Sequence, residues 1–92
     1  MTKHLIRFEG YEDEMNNGRT IVRRARLQFG AYQLKPGEMR KVREELSSVA
    51  SGAPYVYYTT IEADAVMGEI RGSYSDVKEA MERLEEMGWT WE

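Results

Sequence analysis

The residues with the most recognisable chemistry are arginines on one candidate strand and aromatic residues on another. Arg24 and Arg26 lie two positions apart in the run Thr20–Phe29, so a strand would project both side chains from one face. Tyrosine, tryptophan and arginine together are typical of the residues that dominate protein interfaces. The sequence therefore predicts a partner-binding surface on an open sheet face, formed by Arg24, Arg26, Tyr55, Tyr57, Tyr58, Trp89 and Trp91.

The same residues support other interpretations. Cross-strand packing explains tyrosines on a strand without any partner. Basic residues beside aromatic ones are also typical of single-stranded nucleic-acid binding, in which bases stack on the rings. That hypothesis uses Arg19, Arg23, Arg24, Arg26, Lys35, Arg40, Lys41 and Arg43. Against it, the tyrosine strand has neither the glycine nor the basic residue of the RNP1 motif, and the net charge is −3.

Catalytic and metal-binding signals are weak. The chain has no cysteine, one histidine (His4), and no serine in a Gly-x-Ser-x-Gly context. Glu62 and Asp64 flank Ala63, but their spacing matches no calcium loop, and acidic residues also suit an exposed hairpin tip. The glycines form neither GxGxxG nor a Walker A loop. We therefore expect a protein that is not an enzyme and that uses no cofactor or metal.

Length and composition indicate one small domain spanning residues 1–92. No apolar run approaches the roughly 20 residues that span a bilayer, and the first residues lack a signal-peptide core, so we expect a cytoplasmic protein. Residues 1–45 carry ten basic and seven acidic side chains, whereas residues 46–92 carry three and nine. Such asymmetry can steer a partner or favour head-to-tail dimers, although solvated faces also explain it.

Hydrophobic periodicity predicts the elements. Alternation predicts strands, and the apolar stripes Met39, Val42, Leu46, Val49 and Val77, Ala80, Leu84, Met87 predict amphipathic helices. The predicted strands are Lys3–Glu9, Thr20–Phe29, Pro54–Ile61 and Ala65–Arg71, with a short final strand in the tail Trp89–Glu92. The predicted helices are Pro36–Ala50 and Asp76–Met87.

Turn and cap residues refine these elements. Asn17-Gly18 predicts a type I′ turn between the first two strands, which form either a long hairpin with a bulge near Gly10 or a short one with a mobile acidic loop. Pro36 suits the first position of the first helix. Ser75 is the predicted N-cap of the second helix, and Gly88 its left-handed end.

The order β-β-α-β-β-α predicts an α+β two-layer sandwich, with an antiparallel sheet of four to five strands and two helices on one face. Two arrangements fit this order. From the second strand onward it is that of a ferredoxin-like split βαβ, with the first strand added at an edge. Alternatively, two β-β-α units share one sheet. Gly30-Ala31-Tyr32 and Gly72-Ser73-Tyr74 lie between strand and helix in each unit, too short a similarity to establish a repeat.

These observations favour a small non-enzymatic protein-binding module, an adaptor or an inhibitor that occludes a partner protein's surface, of the kind found among phage and bacterial accessory proteins. An uncovered edge strand would also allow a homodimer. The alternative function is a single-stranded RNA- or DNA-binding domain that uses the arginine and tyrosine sheet face.

Overall fold

A computed structural model describes residues 2–50 and 54–92; within the first hairpin it describes the backbone, but not the side chains, of residues 11, 12, 14, 16 and 20–22. The strands are β1 (Lys3–Asn16), β2 (Arg19–Tyr32), β3 (Tyr55–Ile61), β4 (Val66–Ser73) and β5 (Thr90–Trp91). The helices are α1 (Glu38–Val49) and α2 (Tyr74–Glu86). Neither helix is long and apolar enough to cross a membrane.

The described strands form one five-stranded sheet in the order β3-β4-β2-β1-β5. The pairs β1–β2, β2–β4 and β3–β4 are antiparallel, whereas β5 runs parallel to β1. Both helices pack on one face of this sheet through a shared apolar cluster. The predicted α+β class and two-layer arrangement are therefore confirmed, and the sheet is mixed rather than wholly antiparallel.

The ferredoxin-like strand order is not observed. That order would place the last strand beside β2, but β1 pairs there instead and β5 pairs with the outer side of β1. The edge position which that arrangement gives β1 is also not observed, because β5 pairs with the outer side of β1 at Leu5 and Ile6. The two hairpins instead meet through their inner strands, β2 and β4. Tyr32 ends a strand whereas Tyr74 begins a helix, so the short sequence similarity does not occupy equivalent positions.

The core follows from strand alternation and helix periodicity. On β2, the residues Ala25, Leu27, Phe29 and Ala31 are buried and face the helices. The predicted helix stripes supply the opposing layer: Val42, Leu46 and Val49 from α1, and Val77, Ala80 and Leu84 from α2. The intervening residues of β2 face the other side of the sheet, which is where the candidate site lies.

The first hairpin is long. Asn17 (φ 51°) and Gly18 (φ 76°) both have positive φ, as a type I′ turn requires. Each strand has 14 residues, and the pairing register shifts between Phe8 and Gly10, which confirms the long hairpin with a bulge near Gly10. Residues 13–23, here called the arm, extend past the last β2–β4 pair, and the molecule measures 51 × 22 × 22 Å. Arg23 is exposed on the arm and forms an ion pair with Asp13 at 2.9 Å.

The helix starts differ from their predictions by two residues. Pro36 precedes α1, and the residue that caps it is Gly37, at φ 91°. The Oε1 atom of Glu38 accepts hydrogen bonds from the Lys35 amide (2.8 Å) and the Thr2 hydroxyl (3.0 Å). These hydrogen bonds lower the pKa of Glu38, because they stabilise its charged form.

The second helix begins earlier than predicted. Its N-cap is Ser73 rather than Ser75, because the Ser73 Oγ accepts a hydrogen bond from the Asp76 amide at 3.3 Å. The predicted left-handed residue after this helix is confirmed, since Gly88 has φ 98°. The chain then turns directly toward the outer side of β1.

Trp89 packs into the core and holds the last residues of the chain against it. It is only 2% exposed, and its indole N–H donates a hydrogen bond to Glu45 at 3.0 Å. Its ring stacks on His4, with ring centroids 5.1 Å apart, and meets Phe29 edge-on at 6.4 Å. These contacts make Trp89 part of the core and place His4 in the packing around β1.

Replacement of Gly68 by alanine should destabilise the fold by about 2 kcal/mol. A Cβ at this position would overlap the Tyr57 carbonyl and lie 2.7 Å from the Phe29 ring. At Gly72 a Cβ would lie 3.1 Å from Pro54, so Gly72→Ala is a milder control. Urea unfolding of both variants tests this difference, and equal stability of the two would contradict it.

The stability contributed by Glu38 should depend on pH. Because its pKa is lower in the folded state, its contribution is complete above the unfolded-state value near 4.5 and is lost as the pH falls through the lower folded value. The Glu38→Gln variant should therefore have a lower Tm than the wild type at pH 7, with a smaller difference at acidic pH. The exposed Glu82→Gln serves as the control in thermal melts. A Tm difference that does not change with pH would contradict this assignment.

Candidate functional site

The sheet face opposite the helices carries the charged and aromatic residues of the candidate site. Alternation places Arg24 and Arg26 of β2 there, because their neighbours Ala25 and Leu27 point into the core. On β4 the same face carries Glu69 and Arg71, between the buried Gly68, Ile70 and Gly72. On the edge strand β3 it carries Tyr55 and Tyr57, which pair in register with Arg71 and Glu69.

These side chains line a groove of about 470 Å³ that runs from the β3 edge toward the base of the arm. Tyr55 and Tyr57 are 67% and 51% exposed, so both rings keep most of their apolar surface in solvent. The residues lining the groove are Asp13, Arg24, Ala25, Arg26, Tyr55, Tyr57, Arg71 and Gly72. Three arginines and two tyrosines thus surround one concave surface.

The register places two like charges side by side in this groove. Arg26 and Arg71 are direct partners across the β2–β4 ladder, a juxtaposition that is unfavourable without a neutralising group. Arg71 has one, because its Nε bonds to Glu69 at 2.7 Å, and its guanidinium lies 5.1 Å from the centre of the Tyr57 ring. The hydrogen bond to Glu69 raises the pKa of Arg71 above its ordinary value.

Arg26 differs from Arg71 in its surroundings. Among the residues whose side chains are described, no hydrogen bond or ion pair neutralises Arg26, and the side chain is exposed. Its guanidinium therefore retains five N–H donors for a group that enters the groove. This is the arrangement that recognises a planar anion such as a carboxylate, with the flanking tyrosines contributing apolar area.

Three of the predicted partner-binding residues lie elsewhere. Tyr58 faces the helix layer, where it meets Phe29 edge-on and lies under the guanidinium of Arg43. Trp89 is buried in the core. The expectation that a tryptophan joins the open face is therefore wrong for both positions: Trp91 pairs with the buried Ile6 and so points to the helix side of β1. The groove keeps Arg24, Arg26, Tyr55 and Tyr57 from the predicted set.

The residues predicted for nucleic-acid binding do not share one surface. Arg24 and Arg26 lie in the groove, but Arg19 is on the far end of the arm and Arg23 is paired with Asp13. Of the remaining members, Lys35 precedes α1, and Arg40, Lys41 and Arg43 lie on α1 in the other layer, where Arg40 bonds to Glu44 at 3.2 Å. Folding thus separates charges that are close in sequence.

Sequence reasoning missed Arg71 as a member of the site. The signal was the alternation of β4: once Val66, Gly68 and Ile70 face the core, Glu69 and Arg71 must face the opposite side. What the sequence did not provide was the pairing of β4 with β2, which brings Arg71 opposite Arg26. The site therefore depends on strand order as much as on residue type.

The two acidic residues considered as metal ligands in the sequence lie in a turn. Glu62 and Asp64 are exposed between β3 and β4, where the Glu62 amide bonds to the Ala65 carbonyl at 2.8 Å and the Leu34 amide bonds to the Asp64 carbonyl at 2.8 Å. Among the residues whose side chains the structure describes, no three histidine, aspartate or glutamate side chains lie close enough together to hold a metal ion.

Comparisons of this chain with protein-family models, with curated proteins and with solved structures give no match. The function must therefore be inferred from the groove and its surroundings.

Removing the positive charge of Arg26 should stabilise the fold. Arg26→Gln relieves the repulsion from Arg71 and should raise the free energy of unfolding by about 0.5 kcal/mol at low salt, with a smaller gain at high salt. Arg7→Gln is the matched control, because Arg7 is exposed on β1 and pairs with the uncharged Gln28. Urea unfolding at two salt concentrations measures both variants. If Arg26→Gln is less stable than the wild type, the repulsion argument is wrong.

Proposed function

We propose that this chain is a non-enzymatic protein-binding module, an adaptor or inhibitor that occludes part of a partner protein, and that its groove binds an acidic segment of that partner. The observation that carries this proposal is the exposed Arg26, for which the described side chains supply no ion pair. It lies directly opposite Arg71, which in turn pairs with the exposed Tyr55 of the edge strand. Two adjacent positive charges destabilise the fold, and unfavourable arrangements of this kind are found mostly at functional sites. We therefore expect a ligand to supply the negative charge that offsets them.

The residues of the groove match the composition of interface hot spots. Arginine, tyrosine and tryptophan supply most binding energy at protein interfaces, and here the tyrosines of β3 lie beside the arginines of β4 and β2. A carboxylate can accept two parallel hydrogen bonds from the guanidinium of Arg26. An apolar side chain next to that carboxylate would then contact the ring of Tyr55 or Tyr57.

Several observations favour a protein partner over a nucleic acid. Glu69 already neutralises Arg71, so the charge of Arg26 suits a single carboxylate better than a row of phosphates. The basic residues of α1 face a different direction and could not follow the same phosphate backbone. Nucleic-acid modules usually present a continuous basic surface, whereas the net charge here is −3.

Selection from a display library of short random peptides tests the proposal, with the wild-type chain immobilised as bait. The enriched peptides should contain aspartate or glutamate next to an aromatic or aliphatic residue. Arg26→Ala and Tyr55→Ala should each weaken binding of a selected peptide by at least about tenfold, as expected for hot-spot residues.

The matched controls are Arg40→Ala and Lys41→Ala, which remove positive charge from α1 and should leave peptide binding unchanged. Labelled oligouridine is tested in parallel at low and high salt. Enrichment of basic peptides would contradict the proposal. Tight oligouridine binding that falls steeply with salt and requires Arg26 would support the nucleic-acid alternative instead.

A further inference from the structure

The two edges of the sheet differ in how well they are protected against pairing with another strand. Proteins protect edge strands by making them short, by charged residues or proline, or by bulges. On the opposite side, β5 covers β1 only at Leu5 and Ile6, and the rest of that edge is β1, which carries charged residues and the bulge near Gly10. The β3 edge has seven residues, Tyr55–Ile61, and contains no charge and no proline. It has a bulge near Thr59, but Tyr55, Tyr57 and Ile61 remain more than half exposed.

The surroundings of β3 give this edge opposite charges at its two ends. At its start, Tyr55 pairs with Arg71, whose neighbours in the groove are Arg24 and Arg26. At its end, Ile61 is followed directly by a turn that carries the exposed Glu62 and Asp64. The strand is therefore neutral along its length. Its start borders the groove, where Glu69 neutralises Arg71 and Arg26 on β2 supplies positive charge, and its end meets the acidic turn.

We propose that the occupant of this edge is a second copy of the chain, paired antiparallel through β3 about a two-fold axis. A two-fold dimer uses the same surface on both copies, so that surface must be complementary to itself. Antiparallel pairing meets this condition, because it places the basic end of each β3 beside the acidic end of the other. Parallel pairing would place like charges together. The two five-stranded sheets then form one continuous sheet.

The position of helix α1 also favours antiparallel pairing of two β3 strands. It lies above the β3 edge, where the Arg43 guanidinium is 5.2 Å from the centre of the Tyr58 ring. Its outer surface is an open depression of about 650 Å³ that carries both signs of charge, including the exposed pair Arg40 and Glu44. A two-fold axis at β3 brings the α1 helices together in opposite directions, so that Arg40 and Glu44 can exchange partners between copies.

This dimer is independent of the proposed peptide groove. Edge pairing uses the backbone of β3, whereas the groove lies on the sheet face and stays open. Glu62→Lys with Asp64→Lys should therefore weaken the dimer while leaving peptide binding unchanged, because neither residue lines the groove. The failure of either proposal is thus distinguishable from the failure of the other.

Sedimentation equilibrium over a range of concentrations tests the dimer. Two variants are compared with the wild type, and each places one lysine on one edge of the sheet. Thr59→Lys on β3 should weaken dimerisation by at least about tenfold, because a charged edge residue opposes strand pairing. Thr90→Lys on β5 is a closely matched control. Both threonines are exposed, and each hydroxyl donates one long hydrogen bond to a backbone carbonyl, at 3.3 Å to Met67 and at 3.4 Å to His4. Thr90→Lys should dimerise as the wild type does.

A second pair of variants tests the charge arrangement without changing the strand. Glu62→Lys with Asp64→Lys reverses the acidic end and should weaken the dimer by at least about tenfold, as should high salt acting on the wild type. Glu82→Lys with Glu86→Lys makes the same charge change on exposed positions of α2 and should have no effect. Circular dichroism checks that each variant is folded; if Thr59→Lys is not, the charge variants decide.

Three results would overturn the proposal. The first is a wild-type chain that stays monomeric at every concentration. The second is a dimer that persists in Thr59→Lys or is weakened equally by Thr90→Lys, which would place the interface elsewhere. The third is a dimer insensitive to the reversal at Glu62 and Asp64. If β3 pairs with a strand of another protein instead of a second copy, the wild-type chain alone stays monomeric, which is the first result.

Discussion

The antiparallel pairing of β2 with β4 is the interaction on which the rest of the structure depends. It joins the two hairpins into one sheet and gives both helices a common apolar face. Its register is fixed by burial, because a slip of one residue would turn Leu27 and Ile70 out of the core. Once those residues face inward, Arg26 and Arg71 must face each other on the outer side. The apolar core thus imposes the charge arrangement of the groove.

Local sequence patterns predicted most of the elements but not their arrangement. The stripes of α1 and α2, the Asn17-Gly18 turn and the left-handed Gly88 all act within a few residues, so the sequence contains their full signal. The strand order depends instead on contacts between distant segments. Nothing local indicates that β1 lies inside the sheet and that two residues of β5 pair beyond it. The sandwich was therefore predictable, whereas its topology was not.

The same distinction applies to the site. Arg24, Arg26, Tyr55 and Tyr57 were predicted, since strand alternation assigns each to a face. Arg71 was missed because its importance comes from a partner on another strand. Trp89 was predicted for the open face, but it lies in the core, where Glu45 of α1 accepts the hydrogen bond of its indole N–H. Residue type thus identified the candidate chemistry, and tertiary contacts determined which candidates meet.

The arm should open at a lower free energy than the rest of the sheet. Residues 13–23 pair only within their own hairpin, whereas the rest of β2 lies between two strands and under a helix layer. An isolated two-stranded ribbon is only marginally stable in water, so opening the arm requires much less free energy than opening the sheet. The molecule therefore contains two cooperative units of unequal stability joined by continuous strands. Fraying that starts at Asn17 should stop near Arg24, where β4 begins to hold β2.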